Sequence, residues 1–252
     1  MNVGLYSGAA GMRVGQDYQD MVTENLALQT VPGYRQSLPV FSTDTTQTDT
    51  GSPTKSGNPA AIQMTRVTDF SQGPIEPSTS PYHVAIEGKA FFQVRELNGS
   101  TSYTRNGSFS VSPEGQLVTT DGASVLGSGG SALTLPPATA SQATISADGT
   151  ISIGGASVGK LDFAHFANPS ASLQSSSFGR FSEIKQGEAQ DGLAPGDQVM
   201  SSSLEGSNGN PVQQMADMLQ AVRLYEANQK SIQAVDDNTN QLITTVGAHA
   251  PS

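Results

Sequence analysis

Residues 210–246 read NPVQQMADMLQAVRLYEANQKSIQAVDDNTNQLITTV, and the fold turns on them. No longer periodic segment runs unbroken through the chain. Asn210 stands as an N-cap, and Pro211 suits the first helical position, where a missing N–H costs nothing. Gln213 follows at capping-box spacing. Gly247 and Pro251 mark a helix end. About 36 helical residues make a rod of roughly 54 Å, far longer than the average globular helix.

The apolar residues of this stretch fall into sevens. Met218, Tyr225, Ile232 and Val246 share one line, with Thr239 as its polar exception. Ala221, Val235 and Leu242 share a second, with Asn228 filling its gap. This is an a/d seam with two polar positions, widened by Val222 and Ile243. Glu226 and Lys230 form an i,i+4 pair on another face. Two readings stand: a core helix of one globular domain, or a helix that needs partners because its length outruns a small core. The second is preferred.

Residues 3–30 read as another helix. Val14, Tyr18, Met21 and Leu28 form its stripe, with Asn25 in the gap, and Leu5, Ala9 and Met12 extend the face. Gly4, Gly8, Gly11 and Gly15 weaken it, each by up to ~1 kcal/mol relative to Ala, or else allow a close helix approach. Val31-Pro32-Gly33 stops it. The candidate assembly seam is therefore Leu5, Met12, Tyr18, Met21, Asn25 and Leu28, facing Met218, Val222, Tyr225, Asn228, Ile232, Val235, Leu242 and Val246. Asn25 and Asn228 are either partly exposed polar positions or buried amides that fix helix register.

Between the helices the composition changes. Residues 33–80 are rich in Thr, Ser, Gln, Asp, Gly and Pro, and Thr43–Lys55 has almost nothing to bury, so it is expected to be extended or mobile. Ala61–Met64 and Val67–Phe70 suit short strands. Residues 81–206 read as β. His83–Ile86 and Phe91–Val94 flank Glu87-Gly88-Lys89-Ala90 as a hairpin-like pair. Ser102–Arg105, Ser108–Val111, Gln116–Thr119, Thr150–Ile153 and Lys160–Phe166 follow. Asn106-Gly107 is a type I′ signal, and Pro113-Glu114-Gly115, Asp121-Gly122 and Asp148-Gly149 mark further turns. The expected fold is α+β: long N- and C-terminal helices packed together as a coiled-coil-like domain (1–32 and 207–252), an extended linker (33–80), and a central antiparallel, barrel-like β domain (81–206).

The chain of 252 residues has no Cys and a net charge of -10. Disulfides and thiolate metal sites are excluded. The acidic balance argues against nucleic acid as a partner. No apolar run is long enough to span a membrane, and no cleavable secretory leader is visible. No cofactor or metal is expected, since His83, His165 and His249 lack zinc spacing. Gly127–Ser131 is glycine-rich but lacks phosphate-loop spacing. Ser182-Glu183-Ile184-Lys185 fits S-x-x-K without the accompanying elements of a serine acyl-enzyme. A periplasmic hydrolase and an adhesin-like β module are thus remote alternatives, and no enzymatic activity is expected.

Three sets of residues resemble a known family, the bacterial flagellar rod and hook axial proteins. The first is Leu5-Tyr6, Ala9–Met12, Asn25-Leu26-Ala27 and Pro32-Gly33-Tyr34-Arg35. The second is Ala85–Gly88, Phe91–Val94, Tyr103–Phe109 and Gly115–Thr119. The third is Leu204–Asn208, Met215, Met218-Leu219, Arg223 and Tyr225-Glu226. Leu28 and Gly209 depart from the family pattern. The resemblance covers nearly the whole chain. It implies a structural subunit of a tubular rod crossing the periplasm, with terminal helices inside and the β domain outside. It implies export through the flagellar type III apparatus without a cleaved signal. Its implied partners are copies of itself and other rod and hook axial proteins. Arg35 and Arg223 are expected to pair with carboxylates of neighbouring subunits. Leu204–Asn208, Val125-Leu126-Gly127 and Ala147–Ile151 look more like the proximal-rod type than a distal-rod or hook type.

Overall fold

The structure is a computed structural model that describes residues 3–43, 62–136, 143–176 and 179–247. Residues 44–55 of the stretch expected to be mobile, and His249, lie outside the described residues. The chain divides into two compact units. One comprises Met1–Leu26, Ser37–Val67 and Pro211–Ser252, and the other Ala27–Gln36 and Thr68–Asn210.

The first unit holds helix α1 (Val3–Leu28), a two-stranded sheet of Ser37–Thr43 and Ile62–Thr68, and the 37-residue helix Pro211–Gly247. Tyr18, Met21, Val22 and Ala221 form its small core, joined by Met64 and Met218. The two helices meet through small residues. A Cβ on Gly8 would stand 2.6 Å from Ile232 Cγ1, and one on Gly15 would stand 3.2 Å from the Tyr225 backbone nitrogen. Gly11 faces the Asn228 side chain. The glycines that lower helix propensity are thus where the backbones come together.

The second unit is β-rich. Its largest sheet has 10 strands, running in order from Leu173–Ser175 through Arg180–Glu183, Thr101–Thr104, Phe91–Arg95, Ser124–Gly127 and Leu117–Thr119 to Phe109–Val111. Phe91–Arg95 also pairs with Phe163–His165. Successive side chains of a strand point to opposite faces. Phe92 and Val94 accordingly enter a core with Ile86, Phe109, Val125 and Leu161, while Phe91 enters another with Tyr103, Phe166 and Phe181. Both faces of this strand are covered, so its apolar residues run on without alternation.

The expected fold class is overturned. The large sheet ends at two different strands and does not close, so there is no barrel among the described residues. Four smaller sheets accompany it. Nor do the terminal helices make a coiled-coil-like domain. The N-terminal helix is short, 26 residues against 37. The two helices share one small apolar cluster of Tyr18, Met21, Val22 and Ala221 with Met64 of the strands, and a two-stranded sheet completes the unit. Only Gln214 and Ala221 of the C-terminal helix are buried among its described side chains.

Two local pairings differ from expectation. Val84–Glu87 does not pair with Phe91–Arg95 but lies antiparallel to Gln198–Ser201. The Asp197 carboxylate accepts the Lys89 and Ala90 amides at 2.9 and 2.8 Å, so the turn is held from outside its own ladder. Asn106-Gly107 closes no hairpin, because Thr101–Thr104 and Phe109–Val111 pair with other strands. Asn106 Oδ1 accepts from the Ser108 amide at 3.0 Å, an Asx turn. Gly107 is there for close approach: the Val84 amide donates to its carbonyl at 3.1 Å, and any Cβ would meet the Val84 carbonyl.

Candidate assembly surface

The second unit buries three charged groups at one place. Arg35 Nη2 donates to Glu205 Oε1 at 2.6 Å, and Arg105 Nη1 reaches Glu205 Oε2 at 3.3 Å. The Arg35 and Glu205 side chains are wholly inaccessible to solvent. Arg105 also donates to the Gly88 carbonyl at 2.7 Å, and its guanidinium stands 4.8 Å over the Phe91 ring. Burial pushes Arg105 down to about 10, although Glu205 draws it back up. Arg35 therefore spends its charge within the chain, and the expectation that it pairs with a neighbouring subunit is corrected.

Next to this cluster Asn208 gathers three stretches of chain. Its Oδ1 accepts the Gln36 amide at 2.8 Å, and its Nδ2 donates to the Asp69 and Ser71 carbonyls at 2.8 and 3.1 Å. Gln36 Nε2 reaches Asp69 Oδ2 at 3.4 Å. Burial would raise the Asp69 carboxyl, but hydrogen bonds from Ser71 and Gln36 and the charge of Arg35 outweigh it and hold it below its ordinary value.

The first unit has a different surface. Leu38, Val40, Phe41, Ile62, Val67, Val212, Met215, Leu219 and Leu224 are exposed, and they make up most of the exposed large apolar side chains among the described residues. The exposed large apolar side chains thus fall mainly on this unit, which makes it the candidate interaction surface.

The seam residues named from the sequence divide in three. Tyr18, Met21 and Asn25 are buried inside the first unit. The Asn25 Nδ2 donates to the Ser37 carbonyl at 2.8 Å and to Gln214 Oε1 at 3.3 Å, so this amide ties α1, the adjoining strand and the C-terminal helix together. Met12, Leu28, Met218, Val222, Tyr225, Asn228, Ile232 and Val235 are half-buried. The side chains of Leu5, Leu242 and Val246 lie outside the described ones. The exposed strand residues Leu38, Val40, Phe41 and Ile62 lie in the stretch expected to be a linker and were not among the candidate residues. On the C-terminal helix the heptad positions are half-buried, whereas Met215 and Leu219, off the seam, are exposed.

No group of side chains able to hold a metal ion occurs among the described residues, and no described helix is long and apolar enough to cross a membrane. His83 Nδ1 lies 2.6 Å from Ser78 Oγ and His165 Nδ1 lies 3.1 Å from the Gly192 carbonyl, in separate places. Within the S-x-x-K run, Glu183 accepts from the Tyr103 hydroxyl and from the Gly187 and Ala189 amides, which is a loop-fixing arrangement.

Residues 85–153 match the family model for the flagellar hook protein FlgE/F/G D1 domain, and residues 200–245 match that for the flagellar basal body rod FlgEFG protein C-terminal region. The flagellar basal-body rod protein FlgF of Salmonella typhimurium is 32% identical, over 94% of this chain and 96% of that protein. FlgF of Escherichia coli is 33% identical over the same shares. The rod protein FlgG of Buchnera aphidicola subsp. Baizongia pistaciae is 29% identical over 94% and 97%. These relatives are structural proteins by name, not enzymes. The chain belongs to the flagellar basal-body rod protein family.

Proposed function

We propose that this structural rod subunit enters the basal body through its helix-bearing unit, joining copies of itself and other rod and hook axial proteins to form a tubular shaft that transmits torque. The carrying observation is the division of apolar surface. Among the described residues, the β-rich unit buries most of its large apolar residues in two clusters and exposes four, Leu97, Val158, Ile184 and Met200, whereas the smaller first unit exposes nine and leaves Phe41, Ile62, Met215 and Leu219 at or above half exposure. Burying such surface is what drives association, at about 25 cal/mol per Å². The interface includes the half-buried residues Val222, Tyr225, Ile232 and Val235, which a neighbour would finish covering.

Placement in the periplasm, export by the flagellar apparatus without a cleaved signal, and the proximal-rod rather than the distal-rod or hook type complete this reading. The motifs Leu204–Asn208, Val125–Gly127 and Ala147–Ile151 support the proximal type. The test is to purify basal bodies from cells carrying an epitope-tagged chain. Labelled electron microscopy should find the tag on the rod, and deleting Pro211–Ser252 should remove it. A chain absent from basal bodies, or still present after the deletion, would overturn the proposal.

A further inference from the structure

The β-rich unit contains the tripeptide Asn-Gly-Ser twice, at 98–100 and at 106–108. The two copies are hydrogen-bonded alike. Asn98 Oδ1 accepts from the Ser100 amide at 2.8 Å and from Ser100 Oγ at 2.7 Å. Asn106 Oδ1 accepts from the Ser108 amide at 3.0 Å and from Ser108 Oγ at 2.6 Å. Each is an Asx turn, which folds the side-chain amide back over the glycine peptide that follows it. Glycine has no Cβ to hinder a change of backbone conformation there. A side-chain amide so placed can be attacked at Cγ by the glycine nitrogen, without an enzyme.

The surroundings of the two copies differ. Asn98, Gly99 and Ser100 are exposed, at the tip of the hairpin that joins Phe91–Arg95 to Thr101–Thr104. Gly99 has φ +88°, and a Cβ on it would meet nothing within 4 Å. Its amide donates to the Glu96 carbonyl at 2.9 Å. That bond must open before the nitrogen attacks, and an exposed turn bond opens at little cost. Gly107, by contrast, is buried. Its carbonyl accepts the Val84 and Phe109 amides at 3.1 and 2.9 Å, and a Cβ on it would meet the Val84 carbonyl. The backbone rotation that ring closure requires has no room there.

We infer that Asn98 is a site of spontaneous modification, converted through a cyclic imide to aspartate and isoaspartate, and that the fold keeps Asn106 as the amide. A base from solvent takes the Gly99 N–H proton, and the nitrogen forms a bond to Asn98 Cγ. Negative charge gathers on Oδ1, where the Ser100 amide and hydroxyl already donate, as they would to an oxyanion. The Cγ–Nδ2 bond then breaks, and Nδ2 leaves as ammonia with a proton from water. Water next opens the ring. Attack at Cγ gives aspartate, and attack at the main-chain carbonyl carbon of residue 98 gives isoaspartate, with the chain continuing through the side chain. The sum is one water consumed and one ammonia released, with no oxidant or reductant.

The product alters the tip. Asn98 Nδ2 donates to Glu96 Oε2 at 3.3 Å, so a carboxylate in its place faces Glu96 as a like charge. Glu96 Oε1 lies 3.4 Å from Arg180 Nη1, and the same guanidinium pairs with Asp121. The new charge therefore competes for a cation that two carboxylates already share. The third Asn-Gly pair, Asn208-Gly209, is held as an amide: Nδ2 donates to the Asp69 and Ser71 carbonyls, and Oδ1 accepts the Gln36 amide.

The test is to incubate the full, folded chain at mildly alkaline pH, digest samples over time, and measure by mass spectrometry the acid fraction at each of the three asparagines. Asn98 should convert several-fold faster than Asn106 and Asn208, with isoaspartyl and aspartyl peptides both present. In denaturant the two Asn-Gly-Ser copies should convert at equal rates, because their sequences are the same. Ser100→Ala should slow conversion at Asn98 several-fold while leaving Asn106 and the circular dichroism unchanged. Equal rates at Asn98 and Asn106 in the folded chain, or an advantage of Asn98 that persists in denaturant, would overturn the assignment to the fold. An unchanged or faster rate in Ser100→Ala would overturn the part given to Ser100.

Discussion

Glu205 holds Arg35 at 2.6 Å with neither side chain reached by solvent. The same carboxylate accepts the Gly73 amide at 3.0 Å and faces Arg105 on its other oxygen. Removing one partner of a buried ion pair leaves an uncompensated charge and costs about 3–5 kcal/mol. Glu205→Ala should cost at least that, since two guanidinium groups lose their counter-ion. Glu205→Gln should fall between, because it keeps an acceptor for Gly73. Urea unfolding followed by tyrosine fluorescence would measure both. A loss under 1 kcal/mol for Glu205→Ala would show that the cluster is not a keystone of the β-rich unit.

The Asp69 carboxyl adds a pH dependence. Its folded pKa lies below the ordinary value of 3.8, because the hydrogen bonds from Ser71 and Gln36 and the Arg35 charge outweigh burial. The unfolded chain therefore takes up the proton first on acidification. The stabilisation is complete above about pH 5 and is lost as pH falls through 3.8 towards the lower folded value. Asp69→Asn should flatten stability over that window while leaving its slope near pH 7 unchanged. Parallel slopes for the two proteins between pH 5 and pH 3 would sink the assignment.

Gly15 should resist the usual helix repair. In an open helix, replacing Gly gains up to ~1 kcal/mol. Here a Cβ would press on the Tyr225 backbone, which cannot swing away as a flexible side chain can. Gly15→Val should destabilise the first unit by about 1–3 kcal/mol, as overpacking does. Amide exchange of Pro211–Gly247 should accelerate, and unchanged exchange would mean that the helices tolerate a wider separation.

Ile232→Glu places a carboxylate against α1 at Gly8, where burial without a partner is costly. Amides of the first unit should lose protection and the chain should be missing from basal bodies. Melting of the β-rich unit should change by no more than about 0.5 kcal/mol, as for a remote substitution. Normal incorporation of the variant would place assembly on a surface that does not include Ile232.

The ends of the elements were more legible than their partners. Pro211 and Gly247 bound the last helix and Pro32 lies just past the first, because caps and breakers act within a few residues. Asp121-Gly122 and Asp148-Gly149 fall at turns, where both glycines adopt positive φ. Strand partners are another matter. Val84–Glu87 joins Gln198–Ser201 across the length of the unit, and no local pattern encodes that choice. Asn106-Gly107 misled because a glycine needed for close approach to Val84 looks the same as one needed for a hairpin. On the last helix, the half-buried Ile232 lies on the heptad seam, whereas the exposed Met215 and Leu219 stand off it. Glu205 gave no sign of burial, since a lone carboxylate in a polar stretch looks solvated until two distant arginines arrive.

Asn208 has a consequence for the order in which the molecule closes. It bonds to Gln36 and Asp69, which precede it by 172 and 139 residues. Synthesis proceeds from the N-terminus, so both wait for most of the polypeptide to be made before their partner exists. Contacts of such separation are slow to form, because the entropy of closing the loop is lost before the bonds are gained. An unfinished chain is thus left open at the very place where its halves would be tied, and only a nearly complete one can fasten itself.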